Sequence, residues 1–215
     1  MIYYLQSCSY TAYNERRNEK IRDYLASKGV FICGCCHYQG SLFKEGDTVL
    51  YICDSCVAVT EEVSPMVKTE SLYSWLLKQD DFPWPDFGGK VMSVQDSWGF
   101  NIRPELQHSV RECMKKMNIV PVEIENNFEK NDFDGAGRYK MPSNRKMKIA
   151  PVFFGRKGEK ILPMPREGFE ETMKKFADRH TTDDVMTYSI GGKNGMITGG
   201  KNAFHILDLI VENLE

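Results

Sequence analysis

A chain of 215 residues, 41% hydrophobic and 27% charged, is long enough to bury a core and has the composition of a globular protein of one domain or two small ones. A net charge of −2 leaves no electrostatic footprint for nucleic acid or an anionic membrane surface, and no apolar run approaches the length of a membrane span. The start, Met1-Ile-Tyr-Tyr-Leu-Gln, has no basic segment and reads as a strand rather than a signal peptide. The expected compartment is therefore cytoplasmic, where thiols stay reduced and clustered cysteines serve as metal ligands or redox groups more often than as disulfides.

In chain order, Ile2 to Leu5 is an apolar strand leading to Cys8. Asn14 to Lys28 has Ile21, Tyr24, Leu25 and Lys28 at helical spacing, closed by Gly29. Val30 to Cys33 is a second strand, and Lys44 to Asp47 a turn. Thr48 to Cys53 is a third strand, apolar almost throughout and so buried on both faces. A helix spans about Ser55 to Val63, and Leu72 to Leu77 is a short amphipathic piece. Asp80 to Gly89, with Pro83, Pro85 and two glycines, divides domain 1–89 from domain 90–215.

The pattern then restarts. Lys90 to Val94 is a strand, and Pro104 to Asn118 a helix with proline in its first turn and Val110, Cys113, Met114 and Met117 on its inner face. Ile119 to Ile124 is a strand, and Asn131 to Gly137 a polar loop. Ile149 to Phe154 reads as an extra strand or as a hairpin closing on Lys160 to Leu162. Glu167 to His180 is a helix, Asp184 to Tyr188 a strand and Ala203 to Leu214 a closing helix. Strands alternating with helices predict an α/β fold of two pseudo-repeated, Rossmann-like halves, with parallel-rich sheets covered by helices. Sites in such sheets lie beyond the carboxyl ends of the strands.

Six of the seven cysteines fall there: Cys8, the run Cys33-Gly-Cys-Cys-His37, and Cys53-Asp-Ser-Cys56. Two readings compete. Cys33-x-x-Cys36 and Cys53-x-x-Cys56 are two knuckles sixteen residues apart, the spacing of a four-thiolate zinc site in a structural module or scaffold subunit. Alternatively, Cys8, Cys35, Cys36, Cys53 and Cys56 suit an iron–sulfur cluster, because neighbouring thiolates can each find a different iron. A third reading makes Cys35 or Cys36 a nucleophile beside His37, the candidate catalytic residue.

The second half repeats the first in degraded form. Leu5-Gln-Ser-Cys8 matches Val94-Gln-Asp-Ser-Trp98, Cys53-Asp-Ser-Cys56 matches Ser189-Ile-Gly-Gly192, and Leu72 to Leu77 matches Ile206 to Val211. With these residues in view, the chain resembles the tandem cysteine-rich "CCG" domains of the heterodisulfide reductases. The same domains occur in iron–sulfur subunits of glycolate and lactate oxidation systems. The family pattern is a cysteine after the first strand, Cys-Cys-Gly after the second and Cys-x-x-Cys after the third, twice over. Here the first copy departs at His37, where the family has glycine, and has a short segment between Cys36 and Cys53; the second has lost its thiols. The resemblance implies one 4Fe-4S cluster held by Cys8, Cys35, Cys36, Cys53 and Cys56. It also implies thiol–disulfide reduction or electron transfer, a small thiol or disulfide substrate, and a flavoprotein or ferredoxin-like redox partner.

Other features have plainer readings. Cys113 reads as core packing, His205 as a core or capping residue, and Trp98 as filler for the volume of a missing cluster. Gly191-Gly-Lys-Asn-Gly195 and Gly199-Gly-Lys201 lack the Walker pattern, leaving an anion site at Lys201-Asn202 before the closing helix. The basic run Arg138 to Lys148 reads as a solvated face.

Overall fold

Two four-stranded, all-parallel sheets, each covered by helices, make up the framework of the protein. The structure is a computed structural model that describes every residue except 37–41, 98–102, 134, 136–138 and 140. In the first sheet β1 (Ile2–Leu5), β2 (Phe31–Cys33), β3 (Thr48–Tyr51) and β4 (Lys68–Ser71) stand in the order β2-β1-β3-β4. In the second, β5 (Lys90–Gln95), β6 (Ile119–Val122), β7 (Asp184–Thr187) and β8 (Asn202–His205) stand in the order β6-β5-β7-β8. The two orders are the same once strands are counted from the start of each half. That is the expected α/β architecture of two Rossmann-like halves.

The helices are α1 (Cys8–Tyr13), α2 (Glu15–Ser27), α3 (Asp54–Val63), α4 (Leu72–Leu76), α5 (Pro104–Lys116), α6 (Asn144–Ile149), α7 (Pro151–Glu159), α8 (Arg166–Ala177), α9 (Ile190–Thr198) and α10 (Ile206–Ile210). In the first half, Ile21 and Leu25 of α2 lie one turn apart and are fully buried, as are Tyr4, Leu5, Leu50, Leu72 and Leu76. Asn14 caps α2, its Oδ1 accepting from the Arg17 N–H at 3.2 Å, and Gly29 ends it at φ +75°. In the second half, Val110, Cys113, Met114 and Met117 are fully buried with Met92, Val94, Val185 and Met186.

Three elements differ from expectation, each for a local reason. A further helix precedes the expected one: Ser7 Oγ accepts from the Tyr10 N–H at 3.4 Å and starts α1 at Cys8, and the chain breaks at Asn14 before α2, which covers the expected helix. Ile149 to Phe154 is not a strand. Ser143 caps α6, and Pro151 supplies the fixed φ that suits the first position of α7. Ala203 to Leu214 is not one helix. Ala203 to His205 pair in register with Val185 to Thr187, and only a short helix follows. The counterpart of β8 in the first half, β4, is also an edge strand, with the polar sequence Lys-Thr-Glu-Ser. Edge strands tolerate charged residues and lack the apolar alternation that marks a strand in sequence.

The residues sort into two compact units. One is Met1–Pro83 with Pro142–Glu159 and Asn213–Glu215; the other is Trp84–Met141 with Lys160–Glu212. The chain first changes unit at Pro83–Trp84, inside the Asp80 to Gly89 stretch. Residues 142–159, carrying α6 and α7, pack with the first unit, and the Lys20 ammonium ties the Leu214 carbonyl to it. Among the described residues, no helix is long and apolar enough to cross a membrane.

Candidate metal centre

Strand register sets the site. Leu5 at the end of β1 is paired with Cys33 at the end of β2 and with Tyr51 at the end of β3. Beyond that common level the chain places Cys8 after β1, Cys35 and Cys36 after β2, and Cys53 after β3, with Cys56 in the first turn of α3. All lie at the carboxyl edge of one parallel sheet. The edge spans the point between β1 and β3 where strand order reverses, the place where open α/β sheets form ligand sites.

The side chains of four of them meet. Cys56 lies close enough to both Cys36 and Cys53, and Cys36 to Cys35, for their thiols to act on one another, so they form a connected series from Cys35 to Cys53. Cys36 and Cys56 are buried, Cys35 and Cys53 half-buried. Tyr3, Leu5, Phe43, Val49, Val59, Ala150 and Phe154 enclose them in a common apolar cluster. Cys33 is buried in the same cluster; Cys8 shares the sheet edge but is exposed. His37 lies outside the described residues.

The thiols are not electrostatically alike. Hydrogen bonding from Cys56 brings Cys53 down to about 6, against the opposing effect of burial. The amides of Ser55 and Cys56 and the charge of Lys157 act in the same direction. Cys53 stands at the N-cap of α3, where helix N–H groups favour a thiolate, although its sulfur makes no capping hydrogen bond of ordinary geometry. Hydrogen bonding to Cys56 also lowers Cys36. Cys56 keeps its proton beside Cys36 and Cys53 and is raised well above the usual thiol value by those two neighbours, and burial adds to this. Burial pushes Cys33 up to about 11, so it stays a neutral thiol.

Among the described residues, no three His, Cys, Asp or Glu side chains surround one point as the ligands of a single metal ion. The donor set is nevertheless of the right chemistry for thiolate ligation: soft sulfurs, adjacent to one another, one of them anionic near neutral pH. One contributor is not legible as a site residue in sequence: Lys157 carries no motif and lies more than a hundred residues beyond Cys56.

The equivalent edge of the second unit is built differently. Ser189, the counterpart of Cys53, caps α9 by accepting from the Gly192 N–H at 2.9 Å. The glycines that suggested a phosphate loop serve close packing. A Cβ on Gly195 would meet Gly135 Cα at 2.8 Å, and one on Gly135, at φ +50°, would meet the Gly191 carbonyl oxygen at 1.9 Å. The anion site at Lys201-Asn202 is not formed. Lys201 precedes a strand, not a helix, and its ammonium donates to the carbonyls of His180 and Thr182 at 3.0 and 2.9 Å. His205 is buried and caps α10, its Nδ1 accepting from the Leu207 N–H at 3.3 Å. Arg145 to Lys148 are exposed on α6, as expected of a solvated basic run. Trp98, and residues 134, 136 and 137 of the polar loop, lie outside the described residues.

This reading of the glycines predicts the effect of Gly195→Ala. In an isolated helix the change stabilises by about 1 kcal/mol. Here the added methyl meets backbone, Met173 and Phe133, and overpacking typically costs about 1–3 kcal/mol. Urea unfolding should show a net loss of stability. Compared with protein-family models, with curated proteins and with solved structures, the chain matches none.

Proposed function

We propose that the protein carries one 4Fe-4S cluster on its first unit and works in thiol–disulfide reduction or electron transfer. The observation that supports this reading is the connected series Cys35–Cys36–Cys56–Cys53, drawn from two strand ends and containing a vicinal pair. Two adjacent residues cannot easily direct both sulfurs at one small ion, whereas a cluster offers separate irons.

The residues that would hold the cluster are Cys8, Cys35, Cys36, Cys53 and Cys56. When bound, such a cluster supplies single electrons at a potential set by its ligands, hydrogen bonds and burial. The chain's own part is to exclude water with Tyr3, Phe43 and Phe154 and to offset negative charge with Lys157. A small thiol or disulfide is the substrate class that goes with this chemistry, and a flavoprotein or ferredoxin-like protein the electron partner.

Anaerobic purification followed by iron, sulfide and zinc analysis tests the proposal. The expected result is iron and sulfide in equal amounts with visible charge-transfer absorption. Cys8→Ser should then lower iron retention, since Cys8 lies at the same sheet edge. One zinc per chain, unaffected by Cys8→Ser, overturns the cluster reading and favours a zinc module.

A further inference from the structure

We infer that residues 142–159 form a latched wall over the cysteine centre, and that Glu62 is the latch that positions it. The segment comes from the second half of the sequence but belongs to the first unit. Its contribution to the cysteine cluster is direct: Ala150 is fully buried there, Phe154 is 3% exposed, and Ile149 and Phe153 pack against the same residues. Lys157, one turn further along α7, is close enough to Cys53 to act on its charge.

The attachment is specific. Glu62 Oε1 accepts from the Val152 N–H at 2.9 Å and Oε2 from the Phe153 N–H at 2.8 Å. These are amides of the first turn of α7, which no residue of that helix can satisfy. A carboxylate there meets both the orphan donors and the positive end of the helix. Glu62 is on α3, the helix that carries Cys56 in its first turn. One short helix therefore holds both a thiol of the centre and the anchor of its cover. The apolar side chains of the wall exclude water from the sulfurs, and release of the latch opens a path to them. This inference does not depend on which metal, if any, the thiols bind.

Cysteine alkylation by iodoacetamide, followed by peptide mass spectrometry, reads the wall directly. The full-length protein is compared with Glu62→Ala and Glu62→Gln, as purified and after removal of metal by a chelator. In the metal-stripped protein Glu62→Ala should raise the rates at Cys36 and Cys56 about tenfold, the scale of one lost charged cap acting through local opening. Glu62→Gln, which keeps an acceptor, should give a smaller rise. Exposed Cys8 and buried Cys113, in the other unit, should keep their rates. Unchanged rates at Cys36 and Cys56 overturn the inference. So does an equal rise at Cys113, which means general unfolding rather than opening of a wall. Because the stripped protein carries the readout, failure here is distinct from failure to find iron.

Discussion

Cys56→Ala should abolish metal retention and, in the stripped protein, move the reactivity of Cys53 to higher pH. Cys56 is the junction of the thiol series: it is the sulfur that contacts both Cys36 and Cys53. Without it the remaining sulfurs lose their common neighbour, so iron or zinc content should fall to background. The second effect follows from hydrogen bonding. The Cys56 thiol is the leading cause of the lowering of Cys53 to about 6. A bond to the charged form favours that form. Removing the donor leaves burial to push the other way, and the amides of α3 and Lys157 compensate in part. The midpoint of Cys53 alkylation against pH should therefore rise toward the ordinary thiol value of about 8.5. At pH 7 the thiolate fraction, and with it the rate, should drop. An unmoved midpoint would mean that the helix terminus and Lys157 alone set the thiolate. Cys113→Ser is the matched control, since that thiol is buried in the other unit, far in function from any ligand set.

What could be read from sequence follows from the range of the interactions involved. Strands such as Thr48 to Tyr51 and helices such as α5 announce themselves by periodicity, and repetition of the pattern gave the two halves. Cysteine spacing gave a common site because parallel strands place their ends at one edge. The edge strands β4 and β8 carry no strand signal of their own: β4 is Lys-Thr-Glu-Ser, β8 runs straight into the apolar residues of α10, and the pairing of each is set by β3 or β7. Ile149 to Phe154 depart from the strand reading for a related reason. Their apolar residues fit a strand as well as a short helix, and the deciding partner, Glu62, is 90 residues away in the chain. The glycines near 191–195 look like a phosphate loop locally; only the approach of Gly135 shows that they are there to be small.

Arg111→Met should cost the second unit about 3–5 kcal/mol, the usual result of stranding one member of a buried ion pair. The arginine side chain is 6% exposed and that of Asp96 fully buried. Its guanidinium binds Asp96 through Nη1 and Nη2 at 2.8 and 2.9 Å, and Glu123 through Nε and Nη2 at 2.7 Å each. Nη1 also donates to the Gln107 carbonyl at 2.9 Å, and the group stacks 4.1 Å from the Phe128 ring centre. Methionine can fill much of the volume, but it offers nothing to the Asp96 carboxylate. One further donor to that carboxylate, the Phe128 N–H at 2.8 Å, remains. Glu123 is a different case. At 42% exposed it can turn to water, so Glu123→Gln should cost less than about 1 kcal/mol. Burial alone would raise the Glu123 carboxyl; hydrogen bonding and charge from Arg111 outweigh it and hold the group below its usual value. A depressed carboxylate adds stability that is present above the ordinary glutamate value, about 4.3, and lost as pH falls through the lower folded value. Acid should therefore weaken the wild-type unit in that window, and Arg111→Met should flatten this part of the stability profile. Urea unfolding between pH 3 and 7, followed through the reactivity of Cys113, reads both effects. A loss under about 1 kcal/mol with an unchanged acid slope would show that Asp96 reaches water or another donor when the arginine is gone, and that the network is not what holds α5 to β5 and β6.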